Sequence, residues 1–390
     1  MADLAGAAEA GPGRAVMGAH AEAKTPGPHA LAARLRERIA REGSISVHDY
    51  MEACLGDSRA GYYTTAAPIG AAGDFITAPE ISQVFGELIG AWCVAIWQAM
   101  GAPSSVIVAE LGPGRGILMA DAMRAWRSAP EFLARVSVAL VETSPALEAI
   151  QRETLARAPT PLAWYASLED VPPGPLIVIA NEFIDALPVR QFVRASGEWR
   201  ERTVIIAGTD ALGFGAGAPA EGDALPPWLT GVAAQDGAIV ETRPAAAKLV
   251  ATLADRANSA PLSALIADYG PERSGIGDTL QAVRRHRFAD PLAGQGETDL
   301  TAHVDFAALK AGACAAGLAA FGPMPQGQFL LELGLEARLE RLTRAATAEQ
   351  GAAILAGAAR LADPRQMGAL FKMLALQSSG LAPPPPFGDI

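Results

Sequence analysis

Continuous apolar runs alternate with amphipathic segments through the middle of the chain. The runs SSVIVAELG, VSVALVE, GPLIVIANEF and LSALIADYG are typical of strands that are buried on both faces, and PLAWYASLEDV reads as a short strand with its turn. Between the first strands, ILMADAMRAW and SPALEAIQRETLARA carry apolar residues at helical spacing. This alternation predicts an α/β fold with a mostly parallel sheet and helices on both faces.

The segment before the first strand is predicted to be helical, with one long interruption. Helices are expected over residues 29–43, 44–55 and 79–101, where apolar positions recur every three to four residues. Residues 56–83 are rich in Gly, Pro and Thr but also carry large apolar side chains, so we expect this part to fold over a site as a lid. We therefore expect a helical and lid segment over residues 31–101.

The pattern changes after the fourth strand. Residues 189–206 predict a β-hairpin with its turn at Ser196–Gly197, and a polar stretch to residue 237 follows, so 189–237 reads as an insertion in a domain of residues 102–376. Farther on, we expect a helix over 305–322, a strand over 328–334, a helix over 335–348 and two more helices to about residue 376. Residues 1–30 are predicted to be a disordered lead-in, and 377–390 a flexible tail.

Composition narrows the class of protein. The net charge of −11 over 390 residues argues against a nucleic-acid-binding surface, and no apolar run is long enough to span a membrane. The three cysteines, Cys54, Cys93 and Cys314, lack the spacing of a disulfide framework or a metal site, so we expect no metal and a reducing compartment. Because the first 30 residues also make a poor transit peptide, we expect a cytoplasmic protein.

The candidate chemistry begins at ELGPGRG, residues 110–116, directly after the first buried strand. In an open α/β sheet a ligand lies beyond the carboxyl ends of the strands, and glycines let it touch the main chain there. The dinucleotide-binding motif has its third glycine at the position of residue 117, where this chain has Ile. The Lys-Ser/Thr pair of a phosphate-binding loop is also missing after the glycines. The pattern is instead an acidic residue followed by three alternating glycines, with Glu110 at the end of the strand.

Two later strand ends carry further polar residues. Glu142 ends the second strand, 26 residues after Gly116, where a carboxylate can accept both ribose hydroxyls of a nucleoside; the alternative is a plain surface acid. Asn181, Glu182 and Asp185 follow the fourth strand. Because polar groups are costly to bury without partners, we expect these three to line a pocket, although Asp185 could simply cap the next helix.

These motifs together resemble one family. The acidic-x-Gly-x-Gly-x-Gly pattern is similar to motif I of the class I S-adenosylmethionine-dependent methyltransferases. With GYY, GDFITAPEISQVFGELI, VETSP, NEFIDALPVRQ, DYG, DLTAHVDF and MGALFK, the chain from about residue 34 to 376 resembles the MidA-like methyltransferases. That family includes a mitochondrial complex I assembly factor that methylates arginine.

The resemblance implies a Rossmann-like sheet that binds S-adenosylmethionine. The residues expected to hold this cofactor are Glu110, Gly112, Gly114, Gly116, Glu142, Ser144 and Asn181. The residues expected to be catalytic are Glu182 and Asp185, which would grip a guanidinium, with Asp74 and Glu80 as helpers. The implied reaction is symmetric dimethylation of an arginine in a respiratory complex I subunit. A small-molecule methyltransferase and a non-catalytic assembly chaperone are the alternatives, and the oligomeric state is open.

Overall fold

The computed structural model describes residues 28–65, 77–209 and 211–388. Its helices are α1 Pro28–Glu42, α2 Val47–Gly56, α3 Tyr62–Thr65, α4 Ala78–Ile81, α5 Gln83–Ala99, α6 Ile117–Trp126, α7 Pro130–Leu133, α8 Pro145–Thr154, α9 Pro244–Ala257, α10 Phe306–Ala315, α11 Gln326–Glu332, α12 Leu335–Arg344, α13 Ala348–Ala362 and α14 Met367–Leu370. None of the helices in these ranges is long and apolar enough to cross a membrane.

Most strands belong to a seven-stranded central sheet or to a five-stranded second sheet. The strands are β1 Ile45–Ser46, β2 Val106–Leu111, β3 Val136–Val141, β4 Leu162–Tyr165, β5 Leu176–Asn181, β6 Arg190–Ala195, β7 Glu198–Ala207, β8 Ala211–Pro219, β9 Ile239–Thr242, β10 Leu262–Tyr269, β11 Gln281–Arg284, β12 Arg287–Ala289, β13 Asp299–Thr301, β14 Ala319–Pro325 and β15 Phe371–Gln377. A small third sheet joins β11 to β12 and β13.

The central sheet has the strand order β14-β15-β10-β5-β2-β3-β4. The five strands from β10 to β4 are parallel to their neighbours, whereas β15 runs antiparallel between β10 and β14. Alternate residues of each strand face opposite sides. Thus Val108 and Ile177 pack in one core with α5 and α6, while Ala109 and Val178 pack in another with α9 and α10. The predicted α/β fold with helices on both faces is confirmed.

Strand register brings the chemically interesting residues to one edge of the sheet. Glu110 of β2 pairs with Ile179 of β5, and Asn181 of β5 pairs with Ala267 of β10. Because parallel strands end on the same side, the residues that follow β2, β3, β5 and β10 meet there. This edge is where a ligand site is expected in such a sheet.

The predicted hairpin is present, and it belongs to the second sheet. Strands β6 and β7 join through Ser196 and Gly197, whose φ angles of 53° and 77° suit a tight hairpin turn. The first part of the polar stretch after it is a strand, because β8 pairs along β7. On the other edge of β7, Ile45 pairs with Val204, so the N-terminal helices and this hairpin share one core.

Three predictions for the C-terminal third are wrong. Residues 328–334 lie in helix α11 and the turn after it, not in a strand; the predicted helix over 305–322 ends at Ala315 and continues as β14; and residues 371–377 form β15, not a helix. FKMLALQ is buried along its whole length between β10 and β14, so it lacks the alternation that distinguishes strand from helix.

The end of the chain lies against the helical layer. The indole Nε1 of Trp92 in α5 donates a hydrogen bond of 2.8 Å to the carbonyl of Pro385, and the ring of Phe387 lies 5.6 Å from that of Phe329. Residues up to Gly388 therefore have defined packing partners, in contrast to the mobile tail expected from their proline-rich sequence.

Candidate active site at the carboxyl ends of the central strands

A cavity of about 320 Å³ opens at the edge where β2, β3 and β5 end. Its walls come from the glycine turn after β2, the residues after β3 and β5, and the N-terminal elements α2, α3 and α4. A volume of this size is at the lower end of the range for small-molecule sites. Its lining includes five acids: Glu52, Glu80, Glu110, Glu142 and Glu182.

The glycine turn forms one wall. Gly112, Gly114 and Gly116 have φ angles of 60°, 55° and 79°, a left-handed conformation that side chains other than glycine rarely adopt. A Cβ atom on Gly112 would lie 2.8 Å from Cδ2 of Phe183, which also lines the cavity. Gly112 and Gly114 line the cavity, whereas Gly116 caps α6 and packs toward Leu155 instead. The predicted direct cofactor contact by Gly116 is therefore not supported by its position.

Glu110 is buried at the start of this turn. Its Oε2 atom has no hydrogen-bond partner among the described residues, and desolvation raises the pKa of the carboxyl group to about 8. Asn181 also lines the cavity, and its Oδ1 is likewise buried without a partner in the described part of the chain. Buried acceptors without partners are costly. Both atoms therefore suit a ligand that brings hydrogen-bond donors or positive charge.

Glu142 is the first residue after β3, in the turn that leads to α8. Its Oε1 accepts the backbone N–H groups of Thr143 at 2.8 Å and Ser144 at 2.7 Å, and burial raises the pKa of its carboxyl group. Ser144 was predicted to bind cofactor, but it does not line the cavity. Its hydroxyl oxygen accepts the N–H of Leu147 and caps α8, which explains a serine at this position.

One residue that sequence reasoning missed joins these two parts of the site. Gln151 is fully buried in α8. Its Nε2 donates to the carbonyl oxygen of Gly114 at 2.8 Å and to Oε2 of Glu142 at 3.0 Å, and its Oε1 accepts from Nε1 of Trp164 at 2.9 Å. The available signal was a polar residue four positions after Leu147 on the apolar face of an amphipathic helix.

Glu182 follows β5 with a φ angle of 49°, a rare conformation for a residue with a side chain. Its Oε1 accepts the backbone N–H of Ala78 at 2.8 Å and Nδ2 of Asn181 at 3.3 Å. Desolvation raises the pKa of this carboxyl group to about 7. Ala78 is the first residue of α4, so Glu182 holds the N-terminal segment against the central sheet.

Asp185 does not line the cavity, which corrects its predicted pairing with Glu182 around a substrate. The side chain is buried, and burial raises the pKa of its carboxyl group. The physical reason is how the loop is held: Oδ2 of Asp268 accepts the N–H groups of Ile184 at 3.0 Å and Asp185 at 3.2 Å. The guanidinium of Arg243 donates to the carbonyls of Asp185 and Leu187 as well.

Glu80 does line the cavity, and it is bound to an arginine of the glycine turn. Nη1 of Arg115 lies 3.3 Å from Oε2 of Glu80 and 3.5 Å from its Oε1. Sequence reasoning did not single out Arg115, which stands between two of the glycines. Asp74, the other predicted helper, lies outside the described residues, as does the middle part of the proposed lid, residues 66–76.

The residues of the cavity fit S-adenosylmethionine on chemical grounds. A nucleoside with a sulfonium and an ammonium group would meet the unpartnered oxygens of Glu110 and Asn181 and the exposed main chain of the glycine turn. Glu142, already oriented by its own loop, has lone pairs left for ribose hydroxyls. These acceptor oxygens therefore suit the cationic groups and hydroxyls of this cofactor rather than a phosphate.

Comparison with known proteins points to the same cofactor as the residues of the cavity. Residues 88–324 match the model of a family described as S-adenosyl-L-methionine-dependent methyltransferases. The chain is 36% identical over 384 residues to the Drosophila melanogaster homolog of protein arginine methyltransferase NDUFAF7, covering 91% of this chain and 86% of that protein. To the Homo sapiens protein of that name it is 35% identical over 370 residues, covering 88% and 82%.

A solved structure is similar over nearly its whole length. The crystal structure of a protein from Burkholderia thailandensis, bound to S-adenosyl-homocysteine, is 31% identical with a TM-score of 0.79. The match covers 91% of this chain and 93% of that one. The fold of this chain is therefore shared with a protein that binds the demethylated cofactor.

The relatives overturn one expectation. The Drosophila, mouse and human proteins are all named as mitochondrial, so the cytoplasmic location predicted from the cysteines and the N-terminal sequence is wrong by this comparison. Free thiols, on which that prediction partly rested, do not distinguish one reducing compartment from another. The family match, the similarity over most of each relative and the shared fold lead to one conclusion. The chain belongs to this family of methyltransferases and is an enzyme that uses S-adenosyl-L-methionine.

Proposed function

We propose that this enzyme transfers methyl groups to an arginine side chain of a protein. The observation that carries the proposal is that two glutamates, Glu182 and Glu80, lie at the short helix α4, which lines the cavity. Glu182 accepts the N–H of Ala78, and Glu80, two residues farther on, binds the guanidinium of Arg115. Glu80 thus already holds a group of the same chemistry as the proposed acceptor.

A guanidinium needs acceptors only. It carries five N–H donors, no acceptor, and a permanent positive charge. The cavity offers glutamates on several walls, and both hydrogen bonds to Glu182 end on Oε1, which leaves Oε2 for a substrate. A pair of carboxylates can hold the planar group and aim one nitrogen, which is most of what such a transfer requires.

Glu182 also suits the proton that the reaction releases. When bound, S-adenosylmethionine supplies a methyl group activated by its sulfonium. The arginine nitrogen that gains a methyl group must lose a proton. Burial raises the pKa of Glu182 to about 7, so near neutral pH its carboxylate can take up that proton and pass it on. Asn181, whose Nδ2 donates to the same carboxylate, keeps Glu182 in place.

The names of the relatives support an arginine acceptor, since the Drosophila and human proteins are both called protein arginine methyltransferases. Five acids around the cavity favour a cationic acceptor; the main alternative is a methyltransferase that acts on a small molecule. A respiratory complex I subunit as acceptor, and symmetric dimethylation as product, are finer parts of the proposal that rest on the family resemblance.

Mass spectrometry with a labelled donor tests the proposal. Complex I subunits purified from cells that lack this chain are incubated with the enzyme and methyl-deuterated S-adenosylmethionine, with a Gly114→Val variant as the blank. We expect deuterated methyl groups on arginine, with neutral loss of methylamine rather than dimethylamine if dimethylation is symmetric. Label on lysine, or on small molecules but no protein, would contradict an arginine acceptor.

A further inference from the structure

The charged side chains that line the cavity are mostly negative. Five lining residues are glutamates, and Arg115 is the only permanent cation among the described lining residues. The cofactor carries two positive groups, the sulfonium and the ammonium, but also one negative group, the carboxylate of its methionine part. Acids can accommodate the first two, whereas the carboxylate requires a positive partner.

Arg115 is placed for that role by its position in the chain. It stands between Gly114 and Gly116 in the turn that forms one wall of the cavity, and its side chain is 40% exposed rather than packed into the core. The described residues give it one partner, Glu80. The separations of 3.3 and 3.5 Å exceed the roughly 2.7–2.9 Å of a strong charge-assisted bond. This pair is therefore loose enough to exchange.

We infer that Arg115 binds the carboxylate of the cofactor, and that this carboxylate and Glu80 compete for its guanidinium. A carboxylate that binds Arg115 in a bidentate manner takes over the bonds now made to Glu80. Glu80 is then available for the guanidinium of the acceptor, a consequence that rests on the proposed function. The exchange makes cofactor binding favour acceptor binding, because the acid at α4 loses its internal cation first.

The opposing possibility is that Arg115 only ties α4 to the glycine turn. A purely structural tie and a cofactor contact differ in what they do to two related ligands. S-adenosyl-homocysteine carries the amino-acid carboxylate, and 5′-methylthioadenosine shares its adenosine and sulfur but lacks the amino-acid part. Only a contact to the amino-acid part distinguishes between them, and the guanidinium of Arg115 can pair only with the carboxylate of that part.

Titration calorimetry of both ligands therefore tests the inference without any acceptor or activity. In Arg115→Met we expect the Kd of S-adenosyl-homocysteine to rise about 10- to 100-fold, the range for a lost hydrogen bond to a charged group, while that of 5′-methylthioadenosine changes less than about 2-fold. Arg115→Lys, which keeps the charge, should recover part of the loss. Arg127→Met removes an exposed arginine next to the end of α6 outside the cavity and should change neither Kd.

Glu80→Gln tests the competition. Removing the acid frees Arg115, so S-adenosyl-homocysteine should bind several-fold more tightly. An unchanged Kd for this ligand in Arg115→Met, or equal losses for both ligands, would overturn the inference, and so would weaker binding of S-adenosyl-homocysteine in Glu80→Gln. None of these results depends on arginine being the acceptor, so failure here and failure of the proposed function are distinguishable.

Discussion

The side-chain amide of Gln151 donates a hydrogen bond of 3.0 Å to Oε2 of Glu142. The same nitrogen donates to the carbonyl of Gly114 at 2.8 Å, so one buried group fixes two walls of the cavity relative to each other. Trp164 holds the other end of the amide through its indole N–H. Helix α8, through Gln151, thus determines how the glycine turn and Glu142 are placed relative to each other.

Replacing Gln151 with Leu is expected to loosen the site and the fold together. The change leaves the Gly114 carbonyl, one oxygen of Glu142 and the Trp164 N–H without this partner, at a cost of about 1–3 kcal/mol in the free energy of unfolding. The Kd of S-adenosyl-homocysteine should rise about 10-fold in calorimetry. Gln98→Leu, at an exposed position of α5, is the control. Wild-type affinity in the Gln151 variant would show that the glycine turn and Glu142 are held by other contacts.

Gly114→Val should abolish cofactor binding while the protein stays folded. Gly114 lines the cavity with a φ angle of 55°, which a β-branched residue adopts only with strain. Circular dichroism checks the fold and calorimetry the binding. Gly101→Val is the matched control, because Gly101 has a φ angle of 85° and a Cβ there meets nothing within 4 Å. A Gly114→Val protein that binds S-adenosyl-homocysteine normally would place the cofactor elsewhere.

The sequence predicted the parallel core well because each of its signals was local. Buried strands have continuous apolar runs, and the residue that follows such a run must lie at the edge of the sheet. This is why Glu110, Glu142, Asn181 and Glu182 are all found around one cavity. Their roles toward cofactor and substrate remain predictions.

Positions that depend on distant partners could not be predicted in this way. The orientation of Asp185 depends on Asp268, 83 residues later, and the pairing of Arg115 depends on Glu80, 35 residues earlier. Neither relation leaves a local pattern. The prediction for residues 371–377 was wrong for a different reason. A strand buried on both faces carries no alternation that distinguishes it from a buried helix.

Stability should depend on pH through Glu110. The folded pKa of about 8 lies above the unfolded value of 4.5, so between these values the unfolded chain ionises while the folded protein keeps its proton. The free energy of unfolding is therefore expected to fall as pH rises from about 4.5 and to level off above about 8. Urea denaturation of wild type and Glu110→Gln measures this. The variant should show a shallower decline; parallel curves would mean that Glu110 ionises normally in the fold.

Replacing Glu182 and replacing Asp185 should have different effects on the rate of methyl transfer. Glu182→Gln is expected to lower the rate of methyl transfer to the acceptor about 100-fold, the size of a lost proton acceptor, with the Kd of S-adenosyl-homocysteine within about 3-fold of wild type. Asp185→Asn should keep the rate within about 3-fold, because its side chain is buried outside the cavity. Transfer is followed with the deuterated donor. Equal losses in both variants would restore Asp185 as a member of the catalytic pair.

The central claim is that the cofactor lies against the glycine turn between Glu110 and Glu142. A crystal structure of the full chain grown with S-adenosyl-homocysteine measures this directly. We expect density for the nucleoside and its homocysteine part along Gly112–Gly114, with the ribose hydroxyls at the carboxylate of Glu142. Ligand density in another pocket, or a glycine turn closed by its own side chains while the ligand binds in solution, would contradict it.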